Sequence, residues 1–491
     1  MSDPSAGTGA EQATRPNAAQ QAALANVGQA TLAKNDRREV FGWMMYDWAN
    51  SAFFTTVVGA MFGPYLTSVA QAAVGEDGAV INFGSLYSIS AKSFFPLCVS
   101  LAVLLQVVLL PVLGAVADYS HWKKRLMAAF CYAGVAATCL MFFITPGRQL
   151  VGGLLFILAV LCINASIVLY NSYLPQITTE DRRDQVSSRG FALGYLGGGL
   201  LLVVNLALVQ SAPRLGISTG TAVRLALLSA GLWWGGFALF TFSRLRPRPA
   251  ARQMPAGHNY LSIGFSELRK TFGELRRLRH TLRFLVAYLF YIDGVQTVIS
   301  MASVFLSQEL FASRGMETDP SFLIGIFLLV QFVAIAGALI FERLARAAGT
   351  KWAIVVAVVV WSGLVIYAYA FLQTTRQAWA LGAVIGLVLG GVQALSRSLY
   401  SRMIPAGREA AFFGLYEISE RASWMGTLMF FFVVNATGSY RHAILFLITF
   451  FVIGLVILFL TDADRAVHEA GNLLPEEAAG DDGRRAAAAE S

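Results

Sequence analysis

The chain has 491 residues, 56% of them hydrophobic and only 13% charged, with a mean hydropathy of +0.60 and a formal net charge of +8. Length alone would allow two or three soluble domains, but apolar runs of about 20 residues recur along most of it. Each is long enough, at about 1.5 Å per residue, to cross a hydrocarbon core about 30 Å thick, and no water-soluble core can use them all. The basic residues sit in short loops between those runs, which argues against a nucleic-acid surface and reads as membrane topology.

Residues 1–40 are rich in Ala, Gln and Asn and lack an apolar core, which predicts a disordered tail without a cleaved signal peptide. Twelve spans follow, at about 41–69, 93–117, 126–145, 151–174, 190–210, 222–243, 283–306, 321–341, 352–372, 378–400, 411–434 and 441–461. They divide into a six-helix bundle over 41–243, a basic loop over 244–282 and a second six-helix bundle over 283–461, with another disordered tail over 462–491. The expected fold class is an all-α membrane protein with twelve transmembrane helices.

The first span, FGWMMYDWANSAFFTTVVGAMFGPYL, carries Asp47, Asn50, Ser51, Thr55 and Thr56. An Asp at the centre of a membrane helix costs about 2.5–3.5 kcal/mol on insertion scales, so it faces protein or a watery cavity. Asn50 and Ser51 follow Asp47 at i+3 and i+4 on one face. That stripe either handles solute or protons, or ties Asp47 to an Arg or Tyr of a neighbouring helix.

After the second span, Asp118 precedes Lys123, Lys124 and Arg125. Asp118, Arg189, Glu342 and Arg343 all lie at span ends and are expected to form a cytoplasmic gate between the bundles, the alternative being solvated loop charges. In span 4, Asn164, Tyr170 and Asn171 read as ties between helices, and in span 5 Gly190, Gly194 and Gly198 repeat every fourth residue, a spacing that permits close helix approach. Within the central loop, Phe265 to Leu278 alternates apolar and basic residues like an amphipathic helix lying on the membrane surface.

Asp293 lies about ten residues into span 7, near the midplane, with Gln296 at i+3. A mid-membrane acid is a candidate for proton or substrate coupling. Gln331 in span 8 and Gln393 in span 10 add amides, and Arg397 near the end of span 10 can pair with Glu420, with Asp47 or with a substrate carboxylate. In span 11, Glu417 and Arg421 stand at i and i+4 and can neutralise each other on their own helix, leaving Glu420 over. The four cysteines fall inside apolar spans as small hydrophobes, and His121, His258, His280, His442 and His468 are scattered, so no metal site and no cofactor is expected.

The loops after spans 2, 4, 6, 8 and 10 carry most of the Lys and Arg, which places them and both termini in the cytoplasm. The halves also echo each other. Gly114–Asp118 and Ala338–Glu342 each run small residue, three apolar positions, then an acid, and the acids are 224 positions apart. Tyr173–Leu174–Pro175 and Tyr400 to Pro405 begin 227 positions apart. Near-equal offsets favour duplication of a six-span unit.

On these residues the chain resembles the major facilitator superfamily, Gly114 to Arg125 being similar to its loop between the second and third spans, with Tyr119 where that pattern has Arg. Tyr46 to Ala52, and Gly390 to Ser398 leading to Ile404–Pro405 and Gly407–Arg408–Glu409, resemble the vacuole-effluxer branch, relatives of the autophagy-related vacuolar amino-acid permease. The resemblance covers about 41–461 and implies two six-helix bundles with alternating access around a central cavity. It implies a secondary transporter and not an enzyme, moving a small polar or amphipathic solute such as an amino acid outward with protons, in a bacterial inner membrane. Asp47, Asn50, Ser51, Asp293, Gln296, Gln393, Arg397, Glu417 and Glu420 are its candidate pathway residues. A receptor or scaffold that keeps the fold without transporting is the alternative. The lipid bilayer, the solute and a proton are the expected partners, with no nucleic acid; the sequence leaves the oligomeric state open, a monomer included.

Overall fold

In the computed structural model, the described residues are 34–75, 78–82, 88–254, 260–317, 320–421, 424–472 and 474. Most of both expected tails lies outside them, as does His258. The first helix starts four residues earlier than expected, because the Asp36 carboxylate accepts the N–H groups of Arg38 (2.8 Å) and Glu39 (3.3 Å) and so caps it. It runs as α1 over Arg37–Val74, passing through a π-helical stretch at Phe53–Met61, and stops at Gly75, whose φ of +85° suits a residue without a Cβ.

A two-stranded antiparallel hairpin, β1 (Ala79–Asn82) and β2 (Ser88–Ser90), separates α1 from α2; the sequence reading did not foresee it. The helices α2 (Ala91–Asp118), α3 (Lys123–Phe143), α4 (Gln149–Ile177), α5 (Glu180–Ser211) and α6 (Thr219–Arg244) complete the first half. After α7 (Tyr260–Arg277) come α8 (Arg279–Arg314), α9 (Ser321–Ala348), α10 (Thr350–Ala370) and α11 (Thr375–Arg402), the last opening on a capping box between Thr374 and Gln377. The expected span over 411–434 is occupied by α12 (Glu409–Arg421) and α13 (Trp424–Thr437), and α14 (Tyr440–Phe459) follows. Among the described residues, eleven helices are long and apolar enough to cross a membrane; α12 and α13 flank residues 422–423, which lie outside the described residues, and are counted apart.

The chain beyond α14 corrects one expectation. In place of a disordered tail from 462, Asp462 caps α15 (Ala463–Glu469) by accepting the Arg465 N–H at 3.1 Å. Asn472 then donates to the carbonyls of Arg402 and Ile404, both at 2.8 Å, tying this segment to the end of α11.

Buried apolar side chains form two cores, one from Trp43 to Leu245 joined by Ala410, the other from Leu275 to Ala466. Around them large apolar residues face outward, Leu104 at 65%, Leu154 at 66% and Leu239 at 62% exposure, a surface that only lipid solvates without cost. The α5 glycines are where α1 comes closest. A Cβ on Gly190 would lie 2.5 Å from Asp47 Oδ2, one on Gly194 2.7 Å from Ser51 Oγ, and one on Gly198 2.9 Å from Thr55 Cγ2. The glycine ladder thus makes a groove for the polar stripe of α1.

Bonds between the halves collect at one end, where the basic loops meet. Asp118 at the end of α2 accepts the N–H groups of Ala410 (3.1 Å) and Ala411 (2.9 Å) at the start of α12. Here α2 and α12 nearly touch backbones: a Cβ on Gly114 would lie 2.1 Å from the Ala410 oxygen, and one on Gly414 2.8 Å from the Leu110 oxygen.

Candidate functional site

The polar centre of the molecule is Arg397 on α11, 3% exposed and enclosed by the other half of the protein. Its Nη2 lies 3.1 Å and its Nη1 3.4 Å from the two Asp47 oxygens on α1. Nη1 also donates to Asn171 Oδ1 (3.4 Å), Nη2 to the Ser187 carbonyl (3.0 Å) and Nε to Ser187 Oγ (2.9 Å). A guanidinium has five N–H donors. All five are therefore used, every one on residues of the first half. The rings of Phe191, Trp43 and Tyr170 close around the cation, with centroids 4.2, 4.9 and 5.7 Å from its central carbon. Trp43 and Tyr170 are themselves stacked at 4.3 Å, and Trp43 Nε1 donates to the Tyr170 carbonyl at 2.9 Å.

The network extends in both directions. Asn171 donates its amide to Glu417 Oε1 on α12 at 2.7 Å, and Ser187 Oγ donates to the Ala394 carbonyl at 2.7 Å. Tyr195 hydrogen-bonds Gln393. Removing one partner of a buried ion pair costs about 3–5 kcal/mol, so this cluster holds the halves together as long as it stays intact.

Several sequence-derived partners are different in the structure. Arg397 meets Asp47 and not Glu420, which instead accepts the Tyr288 hydroxyl at 3.2 Å. The Glu417 carboxylate reaches across to Asn171; the Arg421 side chain proposed as its neighbour lies outside the described residues. Asn50, 4% exposed, and Gln296 have no side-chain hydrogen bond among the described residues, and Ser51 packs on Gly194. Asp293, fully buried in α8, accepts the Gly426 N–H at 3.0 Å, with Thr297 Oγ1 3.5 Å away.

Of the four expected gate residues, only Asp118 bonds across the halves. Arg189 and Arg343 are exposed, and Glu342 pairs with Arg346 one turn along its own helix. Arg189, Glu342 and Arg346 line a cavity of about 760 Å³ with Arg37, Asp181 and Asp184. The bonds expected of them are made by neighbours: Arg402 with Asp184 (2.8 Å), Thr350 Oγ1 with Asp184 (2.6 Å), and Arg183 Nη1 with the Ser401 carbonyl (3.1 Å). A signal for this was present in the glycine ladder. Arg183 and Ser187 stand seven and three residues before Gly190 and share its helical face, whereas Arg189 is one residue off it.

The loop between the halves also binds protein and does more than rest on lipid. Gly264 of α7 is set against Val112 of α2, where a Cβ would lie 2.8 Å from Val112 Cγ1. Glu267, 1% exposed, takes Lys270 (2.6 Å), Arg252 (2.9 Å) and Arg408 (3.1 Å). Burial pushes its carboxyl up, but Lys270, the Tyr119 hydroxyl, Arg252 and Arg408 outweigh that and hold it below its usual range. Glu39 and Arg248 make a second buried pair at 2.7 Å between α1 and the same loop.

The family model described as "Vacuole effluxer Atg22 like" matches residues 35–471. An uncharacterized MFS-type transporter, YxiO, of Bacillus subtilis (strain 168) is 31% identical over 431 residues, covering 87% of this chain and 95% of the relative. Autophagy-related protein 22 of Yarrowia lipolytica is 28% identical, with 80% of each chain covered. Among solved structures, the major facilitator superfamily transporter FucP in its outward conformation superposes with a TM-score of 0.61 at 11% identity, covering 87% of this chain and 99% of FucP.

Proposed function

Because the chain belongs to the vacuole effluxer Atg22-like family of the major facilitator superfamily, we propose that this multi-pass secondary transporter exports zwitterionic amino acids, coupled to protons, by rocking two six-helix bundles about the Arg397–Asp47 pair. Its family and fold are those of transporters and not of enzymes. The basic end is cytoplasmic in this reading, both termini included, and the membrane is a bacterial inner membrane.

The observation that carries the reading is the full occupancy of Arg397. Opening the basic end separates α11 from α1 and strips the guanidinium of its partners, leaving two buried charges exposed to each other's absence. A solute with one carboxylate and one ammonium group replaces both: its carboxylate takes the planar fork of Arg397 and its ammonium takes Asp47. A singly charged solute satisfies only one of them. Differential binding of this kind is what lets a solute shift the balance between two states.

With the basic end closed by these bonds, we read this arrangement as the outward-facing stage. Of the candidate pathway residues, Asn50 and Gln296 are the amides without a side-chain hydrogen bond among the described residues, and so are available to a bound solute. In reconstituted vesicles, counterflow of radiolabelled amino acids is expected for the native protein. Arg397→Lys, which keeps the charge but loses the fork, should lower it about tenfold or more. Failure of every amino acid to exchange, or undiminished exchange by the variant, overturns the proposal.

A further inference from the structure

Inside the second bundle lies a cavity of about 120 Å³, bounded by the halves of α8, α9, α10 and α11 remote from the basic end. Its position follows from where small residues fall. The helices α9 and α11 pack backbone to backbone, since a Cβ on Gly386 would lie 2.8 Å from the Val330 oxygen and one on Gly390 2.2 Å from the Ala334 oxygen. Around that pair, α8 and α10 present Ala302 and Ala368 to the cavity, each with a single side-chain carbon. Protein interiors hold few voids larger than a water molecule, so a space of this size needs a reason.

One polar side chain stands inside it. Gln331 of α9 is 7% exposed and lines the cavity, and its amide has no hydrogen-bonding partner among the described residues. Gln393 of α11, by contrast, is bonded by Tyr195. A buried amide left unpaired is costly, and the two N–H donors and one carbonyl of Gln331 are addressed to whatever enters. Water is a poor occupant, since it needs about two to four polar partners and the described wall offers only Gln331 and, at the exposed rim, Ser303. Every other described wall residue is apolar, Phe305 and Phe327 among them.

These features define the ligand. An engineered apolar cavity of about 150 Å³ takes benzene, so the space here suits a single ring. No Asp, Glu, Lys, Arg or His is among the described wall residues, so an ion entering would lose its hydration without gaining a counter-charge. That excludes the zwitterions proposed for the Arg397–Asp47 pair. The two places are also apart: Leu389, the wall residue nearest Arg397 along α11, precedes it by eight residues, about 12 Å of helix.

We propose that this cavity is a binding site for an uncharged single-ring molecule carrying one hydrogen-bonding group, of which phenol is the simplest case. The ring packs among the apolar side chains of α8 to α11, and the hydroxyl meets the Gln331 amide. The site does not depend on the transport reading. It is walled by α8 and α11, the helices that carry Asp293 and Arg397, but neither of those residues lines it.

The test compares phenol with toluene, which match in size and differ in the hydroxyl. Each is titrated into the full chain in nanodiscs with isotope-labelled isoleucine methyl groups, its concentration expressed in the bilayer. The bound ring should shift the methyl resonances of the wall residues Ile326 and Ile385 saturably and leave Ile163 of the first core unmoved. Phenol should bind about five- to tenfold more tightly than toluene, the worth of one hydrogen bond. Gln331→Leu should bring phenol down to the level of toluene, and retained toluene binding shows that this variant keeps its fold and its cavity. Ala302→Leu, which fills space from the α8 side, should weaken both probes about tenfold or more while the Ile163 resonance stays in place. Shifts that never saturate, or that move Ile163 equally, mark partition into lipid and overturn the site. Unchanged phenol affinity in Gln331→Leu overturns it too. So does toluene binding as tightly as phenol in the native chain, because the cavity then serves any apolar group, lipid acyl chains included, and Gln331 selects nothing.

Discussion

Two seams join the halves of this protein, built from stretches that echo each other in sequence and yet close differently. Where α2 meets α12, the backbones approach over Gly114 and Gly414, and the acid of the echoed pattern, Asp118, caps the facing helix. Where α9 meets α5, the equivalent acid, Glu342, turns onto Arg346 of its own helix and leaves a cavity of about 760 Å³. One seam is closed by backbone contact and a charge-assisted cap, the other by side-chain pairs set further in, Asp184 with Arg402 and Thr350. The echoed stretches carry the same chemistry in both halves. In the proposed alternating-access cycle only the total free energy of closure counts, so the two seams need not be equally tight.

The comparison can be broken hardest at Gly114. A valine there cannot fit 2.1 Å from the Ala410 oxygen, and because the obstacle is backbone, overpacking of about 1–3 kcal/mol is expected. The tight seam should part. In a background without native cysteines, Ser401→Cys, 1% exposed at the basic end, should then react with a water-soluble maleimide about ten times faster or more.

A smaller effect should sharpen the contrast between the two acids. Asp118→Asn weakens two charge-assisted bonds and is expected to raise labelling of the same cysteine several-fold, as about 1 kcal/mol would. Glu342→Gln loses only a pair whose Arg346 is 67% exposed, and should change labelling less than twofold. Equal effects from the two variants would show that the seams are equivalent after all.

The smallest effect concerns the strap over the tight seam. The Glu267 carboxyl is held below its ordinary 4.5, so the stabilisation it adds is present above that value and is lost only as the pH falls through its lower value in the folded protein. Docking of α7, followed by proteolysis between α6 and α8, should therefore be flat from about pH 5 to 8 and loosen only in stronger acid. Glu267→Gln should loosen it at neutral pH.

Much of the architecture was legible because hydrophobic length is a property of the chain. The apolar spans, the basic ends and the glycine ladder needed no tertiary information, and Asp47 was marked by its energetic cost alone. Partnerships were harder to read. Arg397 had three candidate partners, and what decided among them was the groove cut by Gly190, which brings Asp47 within reach from another helix. Asn171 was legible as a tie between helices, but which helices it ties, linking Arg397 to Glu417, was not. The helix Ala463–Glu469 was hidden by composition, since its Ala, Asp and Glu suit a solvated tail equally well. Arg183 was missed and Arg189 chosen because charge was weighed without helical phase, though the phase was written in the glycines.

The wide turn of α1 has a mechanical consequence. Below it, the helix is seated in the α5 groove by Asp47 and Ser51; above it, Tyr65 donates its hydroxyl to the Ile144 carbonyl at 2.6 Å, and Leu66 fills the space beside Gly152. A regular helix clamped at two places transmits torque from one to the other. The looser winding over Phe53–Met61 adds backbone without adding a full turn, so its ends keep separate angular registers. The stretch thus sets two angular registers on one helix, the lower fixed by the glycines of α5 and the upper by Ile144 and Gly152.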